Sequence, residues 1–79
     1  MEWEIKYKYA RCVLIDHKWT CEINECSNGR FSLSVMKNTY DYKTIFCKDL
    51  KRKTIKAACK EAIGIILEYI EKIKMEATE

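Results

Sequence analysis

Residues 49–74 constrain the fold more than any other stretch, because they carry most of the aliphatic bulk at helical spacing. At about 100° per residue, Ile55, Ala58, Cys59, Ala62, Ile63, Ile66, Ile70 and Ile73 gather into one apolar stripe, which is a core face. Lys53, Lys56, Ala57, Lys60, Gly64, Glu68 and Glu71 fall on the opposite arc, facing solvent or a partner. Gly64 and Ala57 make a low spot there, which is either tolerated drift or a surface for close approach. The helix is expected over residues 50–75. Asp49 is the expected N-cap, although without a Glu or Gln three residues later the start could lie anywhere from Asp49 to Thr54.

The chain has 79 residues, enough for one domain with one core. Its 48% hydrophobic and 34% charged residues describe a globular sequence without a disordered tail. No apolar run approaches the length of a membrane span, and Met1-Glu2-Trp3-Glu4 lacks the basic and apolar regions of a signal peptide. The expectation is a cytoplasmic protein with no membrane association. The 5 cysteines are an odd number and read as reduced thiols, mostly within apolar periodic segments where Cys behaves as a small hydrophobe. A zinc site would need His17, Cys21, Cys26 and Cys47, but there is no Cys-x-x-Cys pair to hold two ligands together. No metal and no cofactor are expected.

Before the helix the apolar period is two. Trp3, Ile5, Tyr7 and Tyr9 alternate with Glu4, Lys6 and Lys8, predicting a half-buried strand. It continues to about residue 15, where Cys12-Val13-Leu14-Ile15 suggests burial on both faces or a bulge. Asp16-His17-Lys18 breaks the pattern, and a second strand follows over 19–25. For Ile23 and Leu33 to share a face, the next turn must be the three-residue loop Ser27-Asn28-Gly29 with Gly29 left-handed, not a two-residue Asn28-Gly29 turn. The third strand is then 30–37, with Phe31, Leu33 and Val35 inward. Asn38-Thr39-Tyr40-Asp41 reads as a turn, and a fourth strand is expected over 42–47.

Short connections and a helix at the end predict an α+β two-layer fold, an antiparallel β-meander of three to four strands with one long C-terminal helix on one sheet face. A helix of that length overhangs strands of six or seven residues. Ile70 and Ile73, in the overhang, either pack on the first strand or form an interface, including one with a second copy.

Catalytic patterns are lacking: there is one His, no Gly-rich phosphate loop and no nucleophile elbow. His17 beside Asp16 reads as a solvated turn residue, and the chain is not expected to be an enzyme. Charge is more informative. Lys48, Lys51, Arg52, Lys53, Lys56 and Lys60 face only Asp49 between positions 48 and 60, a local surplus of five, whereas the rest of the chain has a balance of −2. Cations in a first helical turn oppose the macrodipole, at a cost of about 0.3–1 kcal/mol each. They suit a bound phosphate, toward which free backbone N–H groups also point. Otherwise the run simply solvates an exposed helix end.

Three strands followed by Lys51-Arg52-Lys53-Thr54-Ile55-Lys56-Ala57-Ala58-Cys59-Lys60-Glu61-Ala62-Ile63 resemble the C-terminal half of a double-stranded-RNA-binding domain, over about residues 19–67. In that family the last helix opens on a Lys-Lys-x-Ala-Lys pattern, and its first lysines grip phosphates across the RNA groove. The resemblance implies that role for Arg52, Lys53 and Lys56. The family's first helix corresponds here to the strand-like residues 3–15, and the glycines that precede its lysine pair are replaced by Phe46-Cys47-Lys48-Asp49. The order of elements is also similar to the arm-binding domains of transposon and phage integrases, whose sheet reads DNA. That likeness implies Arg30, Ser32, Ser34 and Lys37 as contacts. The resulting expectation is a small nucleic-acid-binding module, RNA or DNA, using Lys48, Lys51, Arg52, Lys53, Lys56 and Lys60. The alternative is a protein-interaction module, such as a dimerising accessory protein or an inhibitor from a mobile element, using Ile70 and Ile73 or the sheet edge.

Overall fold

Period-two runs of β-favouring residues pair with their nearest neighbours when the turns between them are short. In the computed structural model, which describes residues 2–38 and 43–77, five strands pair this way. They are β1 (Glu4–Lys6), β2 (Tyr9–Leu14), β3 (Trp19–Glu25), β4 (Phe31–Lys37) and β5 (Thr44–Asp49), followed by the helix α1 (Ile55–Ala77). Every pairing is antiparallel and the strand order is the chain order, so the fold is an α+β meander covered by its C-terminal helix.

One face of the sheet supplies Ala10, Cys12, Cys21, Ile23, Phe31, Leu33 and Val35, and α1 lays Ala58, Cys59, Ala62, Ile66 and Ile70 against them. Full burial of a side chain such as Ile23, Leu33 or Ile66 contributes about 1.5–3 kcal/mol, so this seam between helix and sheet is the main source of stability. Tyr69 closes one side of the seam, its ring 4.6 Å from Phe46 and 5.9 Å from Trp19.

The β3–β4 hairpin has the expected register. Ile23 faces Leu33 and Cys21 faces Val35. The Cys26 N–H donates to the Arg30 carbonyl at 2.7 Å, enclosing Ser27, Asn28 and Gly29, and Gly29 has φ +79°. Only glycine takes that conformation without strain from a Cβ.

The expected strand over 3–15 is two strands, which makes five in the sheet where up to four were expected. The chain reverses at Tyr7 and Lys8, so that Lys6 pairs with Tyr9 and Ile5 with Ala10. No Gly, Asn, Asp or Pro marks this turn. Instead Lys8 adopts φ 61°, a conformation that costs an ordinary residue about 1–2 kcal/mol. Its ammonium lies 3.3 Å from Glu25 and 5.2 Å from the Tyr7 ring centroid, which offsets part of that cost. A two-residue turn also switches the inward positions from odd to even. Trp3 packs against the core as expected, but Tyr7 is 87% exposed at the turn. Tyr9 points outward, its hydroxyl donating to Glu22 Oε2 at 2.8 Å. The run 12–15 is neither doubly buried nor bulged: Val13 and Ile15 are exposed, and Ile15–His17 forms a 3₁₀ turn ending at left-handed Lys18.

The bulge lies elsewhere. Val35 faces Phe46 but Met36 faces Thr44, so Ile45 is the extra residue of β5, and both Ile45 and Phe46 pack on the core. The expected turn at 38–41 and strand start at 42 lie outside the described residues, apart from Asn38, whose N–H donates to the Lys18 carbonyl at 2.6 Å. Strand β5 runs to Asp49, so Asp49 is no helix cap and α1 begins at Ile55. Thr54 is the cap: its Oγ1 accepts from the Ala57 N–H at 3.3 Å. Ile70 is the last core residue at 9% exposure, whereas Ile73 is 37% exposed.

Candidate functional site

The residues between β5 and α1 form an anchored loop. Leu50 is buried, and its N–H donates to the Phe31 carbonyl at 2.8 Å, continuing the β4–β5 pairing by one step. Glu61, two turns into α1, reaches back so that its carboxylate accepts from the Lys51 N–H at 2.9 and 3.1 Å and from the Arg52 N–H at 3.1 Å. Hydrogen bonds to an ionised acceptor are about twice as strong as neutral ones, and three share this one group. Buried Leu50, the Glu61 clip and the Thr54 cap leave the side chains of Lys51, Arg52 and Lys53 on an exposed, pinned backbone.

Those side chains therefore project from a loop and not, as expected, from the first helical turn. The physical reason is that β5 continues through Asp49 and Leu50 enters the core, which delays the helix until Thr54 can cap it. Of the expected cluster, Lys56 alone stands in the first turn of α1. The penalty against the helix dipole is correspondingly smaller.

The loop forms one wall of a groove of about 570 Å³ whose other wall is the β3–β4 turn. Asn28, Gly29 and Arg30 line one side, and Asp49, Leu50, Lys51, Arg52 and Lys53 the other. Asn28 Oδ1 accepts from the Arg30 N–H at 3.0 Å, so the turn that delivers Arg30 is itself tied down. Four cations and one carboxylate line this groove. Such a focus of like charge, opening to solvent, attracts anions of extended shape.

The fold thus groups the expected residues differently from their order in the chain. Lys51, Arg52 and Lys53 come together and are joined by Arg30 from the hairpin. Lys48 does not join them. It stands opposite Leu33 on the helix side of β5, beside Phe46, Glu68 and Lys72. Lys56 and Lys60 are exposed on α1 and line no part of the groove. Ser32 and Ser34 lie on the sheet face away from the helix, opposite Asp49 and Cys47. The contribution of Glu61 had no signal in the sequence, because its partners lie about ten positions earlier across a turn of unknown course. That of Thr54 did, as a capping residue type directly before good helix formers.

The thiols show what the core does to ionisable groups. Cys12, Cys21 and Cys59 are buried, and Cys12 faces Cys21 across β2 and β3. Burial pushes all three thiols up, Cys21 to about 12 with the neighbouring Cys12 adding to the effect. They are therefore protonated, unreactive core residues. Cys26 is half-buried and Cys47 exposed, with Sγ 3.6 Å from the Ser34 hydroxyl. Among the described residues no three His, Cys, Asp or Glu side chains gather as a metal site would require. His17 is exposed in the 3₁₀ turn, 5.2 Å from the Trp19 ring.

The chain matches no protein-family model, no curated protein and no solved structure.

Proposed function

We propose that this protein is a small, non-enzymatic nucleic-acid-binding module that holds the phosphate backbone in the groove between the β3–β4 turn and the β5–α1 loop. The observation that carries this reading is the meeting of Arg30 with Lys51, Arg52 and Lys53 on two anchored walls. Side chains on a pinned backbone lose less freedom on binding than those on a loose tail, so more of the electrostatic attraction survives as affinity. Two loop amides that could have bound phosphate directly are held by Glu61, so the grip comes from side chains. Backbone neutralisation of this kind is insensitive to base sequence and sensitive to salt.

With four cations engaged, a fourfold rise in salt weakens binding to a duplex by about a hundredfold. Replacing Lys51, Arg52 and Lys53 by Glu abolishes most of the affinity on every sequence tested and flattens the salt slope by about one unit per lost contact. Replacing Lys6, Lys18 and Lys74 by Glu makes the same change in net charge away from the groove and has the smaller effect. Fluorescence anisotropy on duplex RNA, duplex DNA and a single strand measures both. Equal losses in the two triple variants, or no loss in either, would overturn the proposal.

A further inference from the structure

A second groove, of about 590 Å³, runs between β5 and the distal half of α1. Its floor is apolar, with Phe46, Ile65, Tyr69 and Met75, and Met75 is 68% exposed. Beside it lies the longer edge of the sheet: β5 has 6 residues, against 3 in β1, whose outer positions are the charged Glu4 and Lys6. Among the described residues no strand pairs with the outer side of β5.

The rim of this groove carries Lys48 and Lys72 against Glu68 and Glu71. The two ion pairs of the described residues, Lys6–Glu4 and Lys8–Glu25, involve none of the four. A nucleic acid meets two carboxylates here, and a strongly charged peptide of either sign meets two like charges. The rim complements a surface with the same balance, and its order along the helix is decisive. At helical spacing the positions lining this side of the helix run Ile65, Glu68, Lys72, Met75, which is apolar, acidic, basic, apolar, with Ile65 half-buried and the other three exposed. With two such helices antiparallel about a two-fold axis near position 70, Ile65 faces Met75 and Glu68 faces Lys72, each contact made twice. A parallel arrangement sets acid on acid and base on base.

We propose that a second copy of this chain occupies the groove, the two α1 helices packing antiparallel in a two-fold dimer. The contact is isologous, so each apolar floor is closed by the other. It stands apart from the basic groove, and its test uses no nucleic acid.

Analytical ultracentrifugation over a range of protein concentrations, with circular dichroism to confirm folding, reads the outcome. The wild-type chain shows a monomer–dimer equilibrium. Glu68→Lys alone, or Lys72→Glu alone, sets like charges against each other across the axis and weakens dimerisation at least about tenfold. Both residues are exposed, so the fold survives either change. The double exchange, Glu68→Lys with Lys72→Glu, restores the facing pairs, and dimerisation returns to within about threefold of wild type. A wild-type chain that is monomeric at every concentration, a dimer indifferent to the single reversals, or a double exchange as weak as the singles would overturn the proposal.

Discussion

Glu61 separates two contributions to the basic groove that are otherwise entangled. Its carboxylate lowers the local positive potential, and it also holds the Lys51 and Arg52 amides in place. Glu61→Gln removes the negative charge and weakens the clip. If electrostatics alone governed the groove, the variant would bind nucleic acid more tightly. The expected result is the opposite, because a loosened loop must be ordered again on binding. Stability is expected to fall by about 1–2 kcal/mol, and the Lys51 and Arg52 amides to exchange faster with solvent while the helix amides are unchanged. Thermal denaturation, amide hydrogen exchange and anisotropy together check this. Nothing in the sequence marked Glu61, since a residue on the arc between stripe and polar face has no special position until the loop folds back over it.

The elements obey local rules wherever their signals are local. The register of β3 and β4 was legible because Ile23 and Leu33 must share a face and only one loop length allows it. The Tyr7–Lys8 reversal was not, because Tyr7 and Tyr9 continue the odd-position alternation through the turn and Lys8 takes a left-handed conformation that its residue type does not advertise. The sequence leaves the start of α1 open between Asp49 and Thr54 for a similar reason. Asp49 and Thr54 are both capping residue types, and the choice between them depends on Leu50, which is drawn into the core. Substitutions tell the two apart. Thr54→Ala is expected to cost about 1 kcal/mol, whereas Asp49→Ala is expected to leave the helix unaffected. In the same helix Gly64 is exposed, and a Cβ there meets nothing within 4 Å, so Gly64→Ala is expected to stabilise by up to about 1 kcal/mol. Chemical denaturation of the three variants measures all of this.

At the scale of the whole molecule, whose radius of gyration is 12.7 Å, one core serves both grooves, and its thiols report on its integrity. Cys12, Cys21 and Cys59 keep their protons in the folded chain to higher pH than in the unfolded chain, where they leave near 9.0. Above that pH the unfolded state binds fewer protons, so the thiols' contribution to stability is level below pH 9.0 and declines as pH rises toward about 12. Tyr9, whose proton is held by Glu22, adds to the decline with the same sign. Denaturant midpoints measured from pH 7 upward should show this, and replacing Cys21 by Ala or Val should reduce the slope. A thiol reagent at neutral pH is expected to label Cys47 first and to reach Cys12, Cys21 and Cys59 only on unfolding. Rapid labelling of all five cysteines in the folded protein would contradict the burial described here.

The periodicities of this chain suffice for its class. A helical stripe beginning near position 55, period-two runs before it and short turns between them leave little besides an antiparallel meander with a helix across one face, because each pattern depends only on neighbours along the chain. Which cations meet is a different kind of question. Six basic residues between 48 and 60 are contiguous in sequence, yet the fold sends Lys48 to the helix side of an edge strand, leaves Lys56 and Lys60 on the outside of α1, and brings Arg30 from a distant hairpin to Lys51, Arg52 and Lys53. That grouping rests on the Leu50–Phe31 hydrogen bond, the Glu61 clip and the Thr54 cap. Two of the three are contacts between separate elements, and they depend on the angle and depth at which helix and sheet pack, quantities that no local periodicity encodes.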